Sequence, residues 1–244
     1  ADGGYVHMTA AETVENYGKV TAAKDVALVA GDGNLTNTGV IDAGQDLTMT
    51  AKNGSIENTA SLTSQNGGVS LAATNGTITN NSSVTAKKAA DFTATGDISL
   101  LGTANTIQGS AISATVTKAG NINVEATLKA TDGNISLTTI NGNIKTDNAV
   151  TAAQNVTATT GNGNIEVQKP MIAQNGSIDL ETKSGAVTVA DKLTAAQNVT
   201  ATTDNGDVNI SGAVEGTNGN VNISTKAGNV VANSTVTAGQ DAKL

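Results

Sequence analysis

The side chains that could do chemistry are few: the single histidine, His7, and four aspartates beside glycine turns, Asp32, Asp97, Asp204 and Asp207. Aspartate oxygens can bind Ca²⁺, and histidine can bind zinc or transfer a proton near neutral pH. The chain has no cysteine and no second histidine for a zinc site or a catalytic triad. The glycine-rich nonapeptide of calcium-binding rolls is also missing, and aspartate in such a turn more often caps its own turn. We therefore predict a surface position for His7, capping roles for the aspartates, and no metal or cofactor.

Solenoid enzymes that cleave or isomerise acidic polysaccharides are the main catalytic alternative. Their chemistry needs clustered carboxylates, often with Ca²⁺, and a basic residue that takes a proton or neutralises the sugar acid. This chain has no arginine, its lysines are scattered, and it has no tryptophan to stack on a sugar ring. The stretch 31–39 (GDGNLTNTG) lacks the spacing and the helix of a dinucleotide site. We predict that the protein is not an enzyme, with a polysaccharide lyase as a remote alternative.

The composition favours strands and turns. The chain has 27 glycines, one proline and 1% aromatic residues, so its core must be built from valine, isoleucine, leucine and alanine. A formal net charge of −8 without a basic cluster argues against nucleic acid as a partner. The sequence contains no apolar run near the roughly 18 residues of a membrane span, and no signal sequence is recognisable.

A duplicated segment reveals the organisation of the chain. The stretch 150–167 (VTAAQNVTATTGNGNIEV) returns 43 residues later as 193–210 (LTAAQNVTATTDNGDVNI), with 12 of 18 positions identical. The spacing of 43 residues divides into one unit of 21 and one of 22 residues that resemble each other more loosely. A period of this size is typical of a solenoid, in which each unit forms one turn.

A glycine recurs at one phase of this period, two residues before an apolar residue such as Leu35 or Ile165. Glycine at a fixed phase indicates a corner of the backbone, and we predict that it adopts positive φ there. The predicted corner glycines are Gly33, Gly54, Gly76, Gly96, Gly120, Gly142, Gly163, Gly185, Gly206 and Gly228.

Each unit contains three short segments in which apolar residues alternate with polar ones. Alternation with period two indicates strands with one face inward. The register advances from unit to unit and never reverses, which favours parallel pairing between turns over hairpins. We predict an all-β parallel β-helix with three short strands per turn and about eleven turns of 20–24 residues, spanning 1–244 as a single rod that is a segment of a longer protein.

Turn length alternates because the corner before the second strand has two forms. Corners such as AAQN give units of 21 residues, whereas corners with an inserted glycine give units of 22 residues. The inserted glycines are Gly67, Gly133, Gly176 and Gly219.

Three asparagines are predicted to form a ladder inside the rod. Asn37, Asn58 and Asn80 each follow a buried anchor by two residues, which places them on the inward side of a strand. Stacked amides can hydrogen-bond to their neighbours along the rod. The stretch 101–119 breaks the period, and we predict a bulged turn with a lengthened corner there, with a small binding protrusion as the alternative.

The stretches VTAAQNVTATTGNGNIEV and 41–58 (IDAGQDLTMTAKNGSIEN) resemble the repeats of filamentous haemagglutinin-like exoproteins, the adhesins of Gram-negative bacteria exported by two-partner secretion. The likeness covers essentially the whole chain, although the motifs of the secretion domain are not recognisable in it. The resemblance implies a right-handed β-helical shaft, secreted or on the outer cell surface. It also implies an outer-membrane transporter as partner and a receptor on a host or bacterial surface.

A second hypothesis is that the rod polymerises end to end. The chain starts and stops in the same phase, with Tyr5, Val6, His7 and Met8 equivalent to residues 241–244. An uncapped end of a β-helix presents unpaired strand groups that can pair with another chain. The sequence leaves the shaft and the polymerising subunit as competing interpretations.

Overall fold

The protein folds as a parallel β-helix built from strands and turns. The computed structural model describes residues 4–244, and its 34 strands form three parallel sheets. Each strand pairs with the equivalent strands one turn away, so the chain passes through the three sheets in the same order about eleven times. None of the described residues forms a helix, and hence none forms one able to cross a membrane. The predicted β-solenoid is confirmed.

Sheet 1 has twelve strands, and its strands become longer along the rod. Those up to β13 have five residues, whereas most of the later ones have seven. Numbered in chain order, the strands are β1 (Val6–Ala10), β4 (Val26–Ala30), β7 (Leu47–Ala51), β10 (Val69–Ala73), β13 (Ala90–Ala94), β16 (Ile112–Ala119), β19 (Ile135–Asn141), β22 (Val156–Asn162), β25 (Ile178–Ser184), β28 (Val199–Asn205), β31 (Val221–Ala227) and β34 (Ala242–Lys243).

Sheets 2 and 3 each have eleven strands of three or four residues. Sheet 2 contains β2 (Val14–Asn16), β5 (Leu35–Asn37), β8 (Ile56–Asn58), β11 (Ile78–Asn80), β14 (Ile98–Leu100), β17 (Ile122–Val124), β20 (Ile144–Thr146), β23 (Ile165–Val167), β26 (Val187–Val189), β29 (Val208–Ile210) and β32 (Val230–Ala232). Sheet 3 contains β3 (Val20–Ala22), β6 (Ile41–Ala43), β9 (Leu62–Ser64), β12 (Val84–Ala86), β15 (Thr106–Gly109), β18 (Thr127–Ala130), β21 (Val150–Ala152), β24 (Met171–Ala173), β27 (Leu193–Ala195), β30 (Val214–Gly216) and β33 (Val236–Ala238).

The core is one continuous stack of medium-sized apolar side chains along the rod. The single phenylalanine, Phe92, is fully buried in sheet 1 between Leu71 and Ala114 of the neighbouring turns. The small side chain of Ala114 offsets the volume of the ring, which allows close packing without displacing the backbone. Because every turn presents its apolar residues at the same phases, each one packs on its equivalents above and below.

The irregular turn lies between β14 and β16. Five residues, 101–105, separate β14 from β15, whereas three residues, 81–83, separate the corresponding strands one turn earlier. The pairing of β16 with β19 also shifts register between Val116 and Ala119. The predicted bulged turn with a lengthened corner is confirmed, and from β19 onward the pairing of sheet 1 is regular again.

Candidate functional surface and the polar ladders behind it

A row of asparagine side chains runs through the core on sheet 2. Asn37, Asn58 and Asn80 are fully buried. Nδ2 of Asn37 donates to Oδ1 of Asn58 at 2.6 Å, and Nδ2 of Asn58 donates to Oδ1 of Asn80 at 2.6 Å. Each of these links satisfies a donor and an acceptor that would be costly to bury alone.

Asn16 begins this row one turn earlier, and the sequence prediction left it out. Its Nδ2 donates to Oδ1 of Asn37 at 2.7 Å. The spacing of 21 residues between Asn16 and Asn37 is visible in the sequence. The prediction starts from corner glycines, however, and none precedes β2. At the other end Nδ2 of Asn80 donates to the Ser82 carbonyl at 2.6 Å, and Leu100 occupies the next position. The ladder therefore spans four turns and then gives way to apolar residues.

The corner between sheets 1 and 2, called here the glycine corner, holds the ten glycines predicted to adopt positive φ. The prediction is right for five of them, Gly142, Gly163, Gly185, Gly206 and Gly228, whose φ lies between 142° and 157°. It is wrong for Gly33, Gly54, Gly76, Gly96 and Gly120. Close stacking of the turns, rather than positive φ, requires glycine at two of these positions: a Cβ on Gly54 would lie 2.3 Å from the Gly33 carbonyl oxygen, and one on Gly76 would lie 2.2 Å from that of Gly54.

A threonine distinguishes the glycine corners of the later turns. The fifth residue of the sheet 1 strand is alanine in the early turns, such as Ala30 and Ala73, and threonine from β19 onward. Each threonine Oγ1 donates at 2.8 or 2.9 Å to the carbonyl of the corner glycine one turn earlier; the pairs are Thr139 with Gly120, Thr160 with Gly142, Thr182 with Gly163, Thr203 with Gly185 and Thr225 with Gly206. The change from alanine to threonine thus coincides with the change in glycine φ.

The corner aspartates bind the following turn, contrary to the prediction that they cap their own. Oδ1 of Asp97 accepts from the backbone nitrogen of Asn121 at 2.6 Å, and Oδ1 of Asp207 accepts from that of Asn229 at 2.7 Å. Oδ1 of Asp32 accepts from an asparagine amide one turn later at 2.7 Å. The next turn is only about 4.8 Å away, so its corner lies within reach of the side chain.

The corner between sheets 3 and 1, called here the Asx corner, explains the alternation of turn length. In a short corner, Oδ1 of Asn155 accepts from the backbone nitrogen of Ser177 in the next turn at 2.8 Å. The inserted glycine of that next corner lies against the same oxygen, since a Cβ on Gly176 would be 2.4 Å from it. Gly219 stands in the same relation to Asn198, at 2.5 Å. Gly176 and Gly219 therefore make room for the amide of the short corner before them, and Gly67 does the same for the Asp46 carboxylate, whereas Gly133 faces Ser110 and Ala111.

His7 lies on the outer face of β1, where the sequence places it. Its ring centroid is 5.8 Å from that of Tyr5, and Lys24 Nζ lies 5.0 Å from the Tyr5 ring centroid. This is an exposed aromatic and cationic contact of modest strength. Within residues 4–244 no group of three or more histidine, aspartate or glutamate side chains is arranged to hold a metal ion.

Two carboxylates, Asp179 and Glu181, interrupt the hydroxyl-rich outer face of sheet 1. Their neighbours in register are threonines, Thr157 and Thr200 beside Asp179. Partial burial, and secondarily the charge of Glu181, raise the pKa of the Asp179 carboxyl above its ordinary value. The three ion pairs of the described surface lie elsewhere, between Lys145 and Asp147, Lys192 and Glu215, and Lys226 and Asp204. The residues paired with both carboxylates in the adjacent strands are thus threonines.

The lengthened corner at 101–105 is tied to the rod by asparagines. Nδ2 of Asn105 donates to the Leu101 carbonyl at 2.8 Å, and Gly102 adopts φ of 88°. Nδ2 of Asn148 donates to the Thr103 carbonyl at 2.9 Å across 45 residues of chain. The loop is therefore an ordered part of the surface, held by groups of a later turn.

Comparison with known proteins gives no match from which a function could be inferred. No model of a known protein family matches the sequence, and neither the curated proteins nor the solved structures compared with it give a match. The resemblance to haemagglutinin-like repeats accordingly rests on the residues of the repeat themselves. The features that can carry a functional conclusion are the unbroken pairing, the internal ladders and the dispersed charges.

Proposed function

We propose that this chain is a structural shaft of a bacterial adhesin filament, which holds adhesive parts away from the cell. The observation that carries the proposal is that all three sheets pair strand to strand without a gap from the first described turn to the last. Eleven turns at about 4.8 Å each give a rod roughly 50 Å long. Its stability is a sum of contacts between neighbouring turns, which suits a shaft that can be extended by further turns.

The distribution of polar groups supports the same proposal. The ladders that unite the turns, such as that from Asn37 to Asn80, are buried, whereas the charged side chains are spread along the outside. A shaft needs the first feature for stiffness and the second for solubility. The resemblance of the repeat adds the proposed setting: secretion to the outer surface of a Gram-negative bacterium through an outer-membrane transporter, with the adhesive parts contacting a receptor on a host or bacterial surface.

Surface display tests the proposal. Bacteria carry a small binding tip either directly on a surface anchor or at the end of this rod, and the capture of ligand-coated beads is measured. A shaft raises capture per displayed tip because it moves the tip outward, and the outward substitutions Thr157→Lys and Thr200→Lys leave that gain unchanged. Equal capture with and without the rod would contradict the shaft.

The isolated protein separates the shaft from its alternatives. We expect electron microscopy of the 244-residue chain to show short single rods, and we expect no saturable binding to cells. Spontaneous long filaments would instead support an end-to-end polymerising subunit. Saturable binding lost on one outward substitution would make the rod itself the adhesive part, and unsaturated products from pectin or alginate would indicate a lyase.

A further inference from the structure

Asparagine followed by glycine occurs eight times in the chain, at Asn53, Asn66, Asn75, Asn141, Asn162, Asn175, Asn205 and Asn218. This dipeptide is chemically labile, because the unhindered glycine nitrogen can attack the side-chain amide of the asparagine before it. Reaction requires a glycine nitrogen that makes no hydrogen bond and an asparagine side chain that can rotate toward it. The eight sites differ in whether hydrogen bonds hold the glycine nitrogen and the asparagine side chain.

At the glycine corner the attacking nitrogen is held by the next turn. The nitrogens of Gly142 and Gly163 each donate to a backbone carbonyl at 2.8 Å, and that of Gly206 does so at 2.9 Å. The preceding asparagines lie within strands of sheet 1. Reaction at these sites would first break a backbone hydrogen bond between turns, so the fold protects them.

Two further sites are held by side-chain oxygens. The nitrogen of Gly67 donates to Ser64 Oγ at 3.1 Å, and that of Gly76 donates to Thr95 Oγ1 at 3.0 Å. In the remaining three dipeptides, the nitrogens of Gly54, Gly176 and Gly219 make no hydrogen bond within the described part of the chain.

These three sites differ in the hydrogen bonds of the asparagine side chain. The Asn53 amide is fixed at both ends, donating to Asp32 and accepting from Asn75, each at 2.7 Å. Nδ2 of Asn175 donates to the Ala153 carbonyl at 2.9 Å. The side chain of Asn218 is exposed and has no hydrogen bond in residues 4–244. In the dipeptide of Asn218 and Gly219 no hydrogen bond holds either reacting group, although Gly219 itself is buried against the preceding turn.

We propose that Asn218 is a self-modification site that deamidates in the folded protein. The Gly219 nitrogen forms a bond to Cγ of Asn218, its proton passes to solvent, and the amide nitrogen leaves as ammonia. Water then opens the succinimide at either carbonyl and leaves aspartate or isoaspartate. Overall the protein consumes one water and releases one ammonia. The reaction needs no oxidant or cofactor and adds one negative charge.

The product perturbs a tightly packed corner. Isoaspartate lengthens the backbone by one carbon at the Asx corner, where a Cβ on Gly219 would already lie 2.5 Å from Asn198 Oδ1. That oxygen accepts from the backbone nitrogen of Asn220 at 2.8 Å, and the longer backbone displaces this contact. Modification of Asn218 therefore loosens the attachment of its own turn to the turn before it.

Mass spectrometry of the intact protein, aged at mildly alkaline pH and then digested with trypsin, tests the proposal. One tryptic peptide, 193–226, contains both Asn205 and Asn218, so the two are compared within a single molecule. We expect Asn218 to convert at least about tenfold faster than Asn205, a ratio that corresponds to about 1.4 kcal/mol. Asn175 should convert at an intermediate rate.

Two controls make the result decisive. In guanidinium the rates at Asn205 and Asn218 should become similar, because the protection of Asn205 comes from the fold. The variant Asn218→Gln should lose the conversion at 218 and leave Asn205 unchanged. Equal rates in the folded protein, or faster reaction at Asn205, would overturn the proposal.

Discussion

Single polar groups decide how well a turn fits its neighbours. Thr160 and Thr146 are both buried threonines, but only the Thr160 hydroxyl has a partner, the Gly142 carbonyl at 2.8 Å. Thr146 Oγ1 and Asn222 Oδ1 are buried without a hydrogen bond among the described residues. A buried polar group without a partner keeps the cost of its desolvation, so these atoms mark places where the rod can be improved.

Thr146→Val should stabilise the protein by about 1 kcal/mol, because it replaces an unpaired hydroxyl with a methyl group of similar size. Thr160→Val is the matched control and should destabilise by about 1–3 kcal/mol, since it leaves the Gly142 carbonyl without its donor. Denaturant unfolding of both variants measures the difference. Stabilisation by both, or by neither, would refute this role of the hydroxyl.

Asp179→Asn should raise the melting temperature at neutral pH. The folded protein raises the pKa of Asp179, chiefly by burial, so the carboxylate is less favourable in the native state than in the unfolded chain. Its penalty is present above the raised pKa and disappears as pH falls below the ordinary value of 3.8. Melting curves should therefore converge at low pH. Glu57→Gln, an exposed carboxylate on sheet 2, controls for loss of charge and should show a smaller gain.

At the scale of elements, the ladders and the strand phases determine which substitutions the rod accepts. The asparagine ladder joins β2, β5, β8 and β11 through side chains as well as through backbone pairing. The pleat places alternate residues of each strand inside, so neighbouring positions differ sharply in environment.

Asn58→Ala should cost about 3 kcal/mol, since it leaves the Asn37 donor and the Asn80 acceptor buried without a partner. Glu57→Ala, one residue earlier and exposed, is the control and should change stability by less than about 0.5 kcal/mol. Chemical denaturation measures both. A similar small effect for the two variants would show that the ladder contributes little.

Val156→Asp should destabilise the protein by several kcal/mol, because Val156 is fully buried in β22 and the charge would have no partner. Thr157→Lys, on the outer face of the same strand, should be nearly neutral. Thermal melts rank the two variants. The reverse order would contradict the inward phase assigned to β22.

At the scale of the whole molecule, the rod is modular because each turn contacts only its neighbours. The 43-residue repeat corresponds to two complete turns, from β21 to the start of β27, and Val150 and Leu193 occupy the same phase of sheet 3. Removing that length should therefore preserve all inter-turn pairing.

Deletion of residues 150–192 should give a folded rod that is shorter by about 10 Å, since two turns of about 4.8 Å are lost. Deletion of 150–181 joins strands out of phase and should abolish cooperative unfolding. Small-angle scattering gives the maximum dimension, and thermal melts report folding. An unfolded product of the first deletion would show that the turns are not interchangeable.

The sequence by itself determined the repeat, the three strands per turn, the inward phases and the place of the irregular turn. These follow from periodicity, which needs only neighbours along the chain. Asn16 was within reach of the same reasoning through its 21-residue spacing from Asn37.

Only the tertiary structure decided what the polar corner groups do. The φ of Gly54, the turn that Asp97 caps and the hydroxyl donation by Thr160 depend on distances between turns, which lie about 20 residues apart in the chain. The same distances decide that the Gly206 nitrogen makes a backbone hydrogen bond and the Gly219 nitrogen makes none. The sequence specifies that a corner recurs, but stacking of one turn on the next decides which of its atoms are bonded.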